Sequence, residues 1–104
     1  MNKQKIASAI ALCTRAGGLV TGGDTTHSAI AAGKVKLVIV SADAAKNTVK
    51  RFTDKTNFYK VPFVRYGTKP ELGKLTGGAE RERSVLGVLS GEFAGMILKG
   101  LDEN

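Results

Sequence analysis

The sequence predicts an α/β protein: a compact α/β sandwich around a central sheet of about four strands. Short apolar runs alternate with segments of helical periodicity along the chain, which is typical of this class. The run Leu-Val-Ile-Val at residues 37–40 is typical of a strand buried on both faces. The 104 residues contain no internal repeat and no linker, so we expect one domain over residues 1–104.

Two helices and two strands are predicted in the first part of the chain. Residues 3–16 place apolar side chains three and four apart, which predicts an amphipathic helix that ends at residues 17–18, two glycines. Residues 19–21 predict a brief strand. The Asp-Thr-Thr stretch at residues 24–26 consists of good N-cap types, so we expect a second helix from there to Gly33, before the buried strand.

A third helix and a further strand follow the buried strand. Residues 41–43 lead into a helix with three core-facing side chains on one side, namely Val49, Phe52 and Thr56. Residues 61–66 predict a strand. Because Pro62 has no N–H to donate, it places this strand at an edge of the sheet or marks its start.

The last part of the chain predicts two helices and one strand. After a turn, a short helix is expected to end at Gly73 or Gly77. A polar loop over residues 78–83 leads to a strand at residues 85–89. Residues 92–101 predict a final helix with an apolar core stripe, formed by Phe93, Met96, Ile97 and Leu101.

The positive charge is unevenly distributed. The chain has 16 Lys and Arg against nine Asp and Glu, a net charge of +7. Residues 1–83 hold 15 basic and six acidic residues, a net of +9, whereas residues 84–104 have a net of −2. A field of this sign attracts polyanions such as nucleic acids. The alternative is a charge that only keeps a small domain soluble.

Catalytic and metal-binding motifs are absent from the sequence. His27 and Cys13 are the only histidine and cysteine, so no zinc cluster can form and we expect no cofactor. The glycine pairs at residues 17–18 and 22–23 match neither GxxxxGK[ST] nor GxGxxG. Cys13 is predicted to be a small buried hydrophobic residue, and His27 a capping or surface residue. Three carboxylates near loops are predicted to be solvated, namely Glu71, Glu80 and Glu82.

The sequence also predicts a cytoplasmic protein that does not engage membranes. No apolar run approaches the roughly 20 residues that span a bilayer, and the N-terminus has no signal-peptide pattern. A single cysteine cannot form an internal disulfide, which favours a reducing compartment.

Three loops are expected to gather at one end of the sheet, at residues 22–28, 42–46 and 77–83. The first offers glycine amides and a helix N-terminus, which suit phosphate oxygens, and the Asp24 carboxylate can accept from base amino groups. The third offers two arginines that can bind phosphates or stack on bases, Arg81 and Arg83. The structural alternatives are an N-cap role for Asp24 and a merely solvated loop for the arginines.

An ordered set of glycine and apolar positions covers about residues 5–90. It consists of Ala16-Gly17, Gly22, Gly33, Leu37–Val40, Asp43, Val61-Pro62, Leu72-Gly73 and Gly77. In order and spacing this set resembles the ribosomal protein L7Ae/L30e superfamily, and more narrowly its bacterial YlxQ-like branch. The resemblance implies a three-layer α/β/α sandwich, with a central mixed sheet of about four strands, that binds RNA. The RNA is typically a kink-turn, which is a sharply bent helix–bulge–helix with sheared G·A pairs.

The resemblance also implies where RNA is bound. The family signature Gly-x-Asn-Glu-x-x-Lys falls on residues 22–28, where only Gly22 is retained. Asp24 stands for the asparagine, Thr25 for the glutamate and Ser28 for the lysine. The family's apolar RNA-facing loop becomes the polar segment 78–83.

We therefore predict a monomeric, non-catalytic RNA-binding protein that is ribosome-associated or bound to another structured RNA such as a kink-turn. The predicted RNA-contact residues are Gly22, Gly23, Asp24, Thr25, Ser28, Arg81, Arg83, Lys34, Lys46 and Lys74. The three lysines are predicted to lie at the rim of the site as positive charges. The alternative is a protein-interaction or accessory module of an RNA-processing complex. An enzyme that uses His27 is a third hypothesis.

Overall fold

Helices and strands alternate along the chain as the sequence predicts. The computed structural model describes residues 1–78 and 81–103. The elements in these residues are α1 (Lys3–Arg15), β1 (Leu19–Thr21), α2 (Gly23–Ala31), β2 (Leu37–Val40), α3 (Lys46–Tyr59), β3 (Phe63–Arg65), α4 (Lys69–Leu75), β4 (Val85–Val88) and α5 (Gly91–Asp102). Across this part of the chain, no helix has both the length and the apolar character needed to cross a membrane.

The four strands form one mixed sheet in the order β1-β4-β2-β3. Strand β3 pairs parallel with β2, and β4 runs antiparallel to both of its neighbours. The edge position predicted from Pro62 is confirmed for β3. In this topology β1, β2 and β3 end, and β4 begins, at the same side of the sheet. We call this side the loop edge and the opposite side the far edge.

Helices cover both faces of the sheet and confirm the predicted three layers. Side chains alternate across β2, so that Leu37 and Ile39 pack against one face and Val38 and Val40 against the other. Helices α1, α4 and α5 cover the first face, with buried side chains that include Ile6, Ile10, Leu72 and Ile97. Helices α2 and α3 cover the second face through Ile30 and Phe52.

Helix boundaries and one core residue differ from the prediction. Helix α2 begins at Gly23 with Gly22 as its N-cap, ahead of the predicted start at residues 24–26. The reason is that the Gly22 N–H still bonds to β4, which fixes where the chain leaves the sheet. Met96 was predicted to be a core residue and this is wrong, since it is 39% exposed. The buried stripe of α5 follows Ala94, Ile97 and Gly100, which turns Met96 outward.

The two glycines within α5 lie in different surroundings and provide a test of the helix packing. A Cβ at Gly100 would lie 2.8 Å from Ile6 Cγ1 of α1, whereas one at Gly95 would meet no atom within 4 Å. We expect Gly100→Ala to lower the free energy of unfolding by about 1–3 kcal/mol through overpacking. Gly95→Ala is expected to raise it by about 0.5–1 kcal/mol, because alanine favours a helix over glycine. Urea unfolding that gave both variants the same sign of change would contradict the close approach of α1 and α5.

Candidate nucleic-acid interface

The predicted loops lie side by side at the loop edge. The Gly22 N–H donates to a β4 carbonyl oxygen at 3.0 Å, and the Ser41 N–H donates to the Ser84 carbonyl oxygen at 2.9 Å. The Ala42 N–H donates to the Gly67 carbonyl oxygen at 2.7 Å. These hydrogen bonds join the segments that follow β1, β2 and β3 and the segment that precedes β4, in the same order as the strands. The predicted gathering of three loops at one end of the sheet is therefore confirmed. The same bonds also add the turn after β3 to the edge, which sequence reasoning did not place there.

The first turn of α2 presents backbone N–H groups at the loop edge. Gly22 has φ +91° and ψ 155°, a backbone conformation that is essentially restricted to glycine. The first intrahelical donor is Thr26, and among the described residues no side chain caps the N–H groups of residues 23–25. Such uncapped donors suit anionic oxygens. Asp24 lies inside the first turn, so its alternative role as N-cap is wrong.

Arg51 of α3 reaches this first turn. Its Nη2 lies 3.2 Å from Asp24 Oδ1, and its Nη1 would lie 3.4 Å from a Cβ on Gly23. Its guanidinium carbon is 5.4 Å from the centroid of the Phe52 ring. Both charged side chains are well exposed, so the pair adds little to stability. The pair matters for position, because it brings a cationic side chain of α3 to the first turn of α2.

His27 of α2 is half-buried and packs against α3. Its ring packs edge-on to Phe52, with centroids 6.5 Å apart. Partial burial and the positive charges of Lys55 and Arg51 lower the pKa of His27, whereas the Asp24 charge raises it. The imidazole is therefore neutral at pH 7. Over residues 1–78 and 81–103 no group of His, Cys, Asp and Glu side chains could hold a metal ion.

The third loop packs directly on α4. The Arg81 N–H donates to the Gly78 carbonyl oxygen at 2.8 Å, and the Arg83 N–H donates to the Lys69 carbonyl oxygen at 3.1 Å. The Arg81 carbonyl oxygen fills the space that a Cβ on Gly73 would need. Arg81 is exposed and Arg83 half-buried, so the two arginines are presented to solvent to different extents. Ala79 and Glu80, which belong to this predicted loop, lie outside the described residues.

Hydrogen bonds of Asp43 and Arg65 hold the second loop in place. Asp43 Oδ1 accepts a hydrogen bond from the Lys69 N–H at 2.9 Å, which ties the loop to the start of α4. The Arg65 guanidinium donates to the carbonyl oxygens of Ser41 and Ala42 at 3.1 and 2.8 Å. Partial desolvation raises the pKa of Asp43, but the hydrogen bond from the Lys69 N–H and the positive charge of Lys69 contribute to a pKa that is lowered overall. Arg65 is thereby engaged with backbone, which makes it a structural residue of the edge.

Most predicted contact residues lie at or beside the loop edge, and Lys34 does not. Residues 22–25 begin α2, Lys46 is the first residue of α3, and Lys74 lies in the last turn of α4 beneath the third loop. Lys34 follows α2, which runs about 13 Å back across the sheet at 1.5 Å per residue. Lys34 therefore lies toward the far edge, away from the loops, and its contact with RNA stays a prediction. Sequence reasoning missed Arg51 because its pairing with Asp24 arises only when α2 and α3 pack together.

Comparisons with known proteins agree with this architecture. The family described as "Ribosomal protein L7Ae/L30e/S12e/Gadd45 family" matches residues 4–96. The RNA-binding protein YlxQ of Enterococcus faecium is 37% identical over 93 residues, which cover 89% of this chain and 87% of that protein. The RNA-binding protein YlxQ of Bacillus subtilis (strain 168) is 36% identical over 93 residues, which cover 89% of this chain and 91% of that protein.

Solved structures share the same fold. A protein of unknown function from Bacillus halodurans superposes with a TM-score of 0.89 at 35% identity, covering 95% of this chain and 98% of that one. The Giardia lamblia 15.5kD RNA binding protein superposes with a TM-score of 0.80 at 18% identity, covering 94% of this chain and 82% of that one. The resemblance found in the sequence is confirmed. By its matched length, its relatives and its layers, the chain belongs to the ribosomal protein L7Ae/L30e/S12e/Gadd45 family.

Proposed function

We propose that this chain is a non-catalytic RNA-binding protein that recognises structured RNA, and specifically a kink-turn, at the loop edge. The observation that carries the proposal is the uncapped first turn of α2, whose Gly22 N–H bonds to β4, the strand that follows the Arg81 loop. The net charge of +9 over residues 1–83 attracts RNA to the domain. The names of the two YlxQ relatives, both RNA-binding proteins, support the same conclusion.

Different groups at the loop edge contact the phosphates and the bases of the RNA. The N–H groups of residues 23–25 and the Arg81 side chain contact phosphates, which supply affinity and set the orientation of the RNA. Asp24 and Thr25 offer oxygen acceptors for base amino groups at the bend. Because the loops present separate donor groups to two sides of a bulge, the bent shape of the RNA supplies the selectivity.

The test is titration of the protein with a kink-turn RNA and with a straight duplex of the same length. Arg81→Ala is expected to weaken kink-turn binding about tenfold, the loss of one charge-assisted hydrogen bond, and to reduce the salt dependence by about one phosphate contact. Arg15→Ala, a matched loss of an exposed arginine at the end of α1 on the far edge, is expected to change neither quantity. Equal affinity for the straight duplex contradicts kink-turn selectivity, and no binding of either RNA contradicts the whole proposal.

Ribosome association, a cytoplasmic location and a monomeric state stay predictions from the sequence. The proposal needs none of them, because a kink-turn in any cellular RNA would meet the same edge. Co-sedimentation of the protein with ribosomes in low salt, and its release in high salt, is the result we expect if the bound RNA is ribosomal.

A further inference from the structure

Cationic and aromatic side chains form a stripe along α3 that leads away from the loop edge. Arg51, Lys55, Phe58 and Tyr59 stand at i, i+4, i+7 and i+8, so they share one side of the helix. We call these four residues the α3 stripe. Helix α3 starts after β2 and returns to the start of β3, so the stripe begins beside Asp24 at the loop edge and ends at the far edge.

The aromatic end of the stripe is open to solvent. The Phe58 ring packs edge-to-face on Tyr59, with centroids 4.9 Å apart at 76°, and the Lys55 amine lies 5.1 Å from the centroid of Tyr59. Phe58 is 77% exposed, more than any other large hydrophobic side chain in the described part of the chain. A paired, solvent-facing aromatic group beside a cation is typical of a surface that binds a partner.

The surroundings of the stripe are strongly positive. Residues 46–60 contain five basic residues and one acidic residue. That acidic residue, Asp54, pairs with Lys50 at 3.2 Å. Exposed lysines also flank the stripe at the far edge, where Lys34 and Lys36 precede β2 and Lys60 ends α3. The uncompensated charge favours a polyanion over an apolar protein segment as the occupant.

We propose that the α3 stripe binds single-stranded RNA that continues from the structured RNA at the loop edge. Arg51 and Lys55 contact phosphates, and Phe58 stacks on an unpaired base. Aromatic rings accept any base, and cationic surfaces follow the backbone of a single strand. This inference rests on the proposed function, because the loop edge places the structured RNA at the start of the stripe.

The experiment compares two RNAs: a kink-turn RNA, and the same RNA with a short oligouridine tail on the strand that leaves the bend toward α3. The wild-type protein is expected to bind the tailed RNA more tightly. Phe58→Ala is expected to weaken tailed-RNA binding by about 5- to 10-fold, in the lower range for base stacking on an aromatic side chain. Its affinity for the untailed RNA is expected to stay unchanged. Phe58→Trp keeps the gain, and Met96→Ala, an exposed apolar residue on α5, serves as the matched control.

The outcomes separate this inference from the proposed function. Wild-type protein that binds both RNAs equally overturns the single-strand surface and leaves kink-turn binding intact. If free oligouridine binds the wild-type protein and not Phe58→Ala, the single-strand surface is supported. If the wild-type protein at the same time binds no kink-turn RNA, the proposed function is contradicted. A Phe58→Ala protein whose affinity for both RNAs falls equally also overturns the inference. So does a Phe58→Ala protein that loses a bound protein partner while the tail still raises its affinity for RNA.

Discussion

Replacing Gly73 with alanine is expected to reduce both the stability of the protein and its affinity for RNA. The new Cβ would overlap the Arg81 carbonyl oxygen and lie 2.7 Å from the Arg81 carbonyl carbon. Backbone atoms cannot yield as a flexible side-chain end does, so the loop must move away from α4 or the helix must shift. We expect the free energy of unfolding to fall by about 2–4 kcal/mol, at the upper end of overpacking effects.

The functional part of this prediction follows from what the loop holds. Displacement of the Arg81 backbone moves its side chain relative to the first turn of α2, so kink-turn binding is expected to weaken by at least as much as in Arg81→Ala. Urea unfolding and RNA titration measure the two effects. Gly91→Ala is the control, because a Cβ there meets no atom within 4 Å, and its stability change is expected to stay within about 0.5 kcal/mol. A Gly73→Ala protein with wild-type stability and affinity contradicts the packing of this loop on α4.

Phe52→Ala is expected to cost about 3–5 kcal/mol of unfolding free energy, the range for removing a fully buried phenylalanine side chain. Phe52 is 0% exposed and fills the layer between α3 and the sheet, where its buried neighbours are Ile30, Val38, Val40 and Val85. A loss of this size is a large fraction of the about 5–15 kcal/mol that stabilises a typical domain. Urea unfolding measures it directly.

A second variant keeps this prediction informative if Phe52→Ala does not fold. Phe52→Leu retains most of the apolar volume, and its cost is expected to stay below about 1.5 kcal/mol. A Phe52→Ala cost below about 1 kcal/mol would contradict close packing of α3 against the sheet, since it would mean that the cavity collapses or is never well filled.

Local patterns in the sequence were sufficient for the order of elements, whereas the three layers followed from the family resemblance. The buried run at residues 37–40 and the N–H that Pro62 lacks placed a central strand and an edge strand correctly. The start of α2 was misplaced because it depends on a hydrogen bond from Gly22 to β4, and local capping preferences carry no information about that bond. Met96 was misplaced because helical spacing alone does not reveal where α1 approaches α5, which is at Gly100.

The site was predictable as a set of loops and less so as a set of charges. The ends of parallel strands gather at one edge of a sheet, so topology predicted that residues 22–25 lie at the loop edge. The third loop lies there because the antiparallel β4 begins at that edge. The positions of the cationic side chains depend on how the helices pack and on the lengths of the helices. Helix α2 carries Lys34 to the far edge, and α3 brings Arg51 to Asp24 across 27 residues of sequence. Gly73 matters for a reason visible only in three dimensions, namely the loop backbone that lies against it.

RNA binding at the loop edge is tested most directly by following the backbone amides of isotopically labelled protein during titration with a kink-turn RNA. The largest changes are expected at residues 22–25, 42–46 and 81–84, where the loops meet. Amides at the far edge, at the end of α1 and the start of α5, are expected to change little. Changes that are largest there, with the loop-edge amides unaffected, would contradict RNA binding at the loop edge.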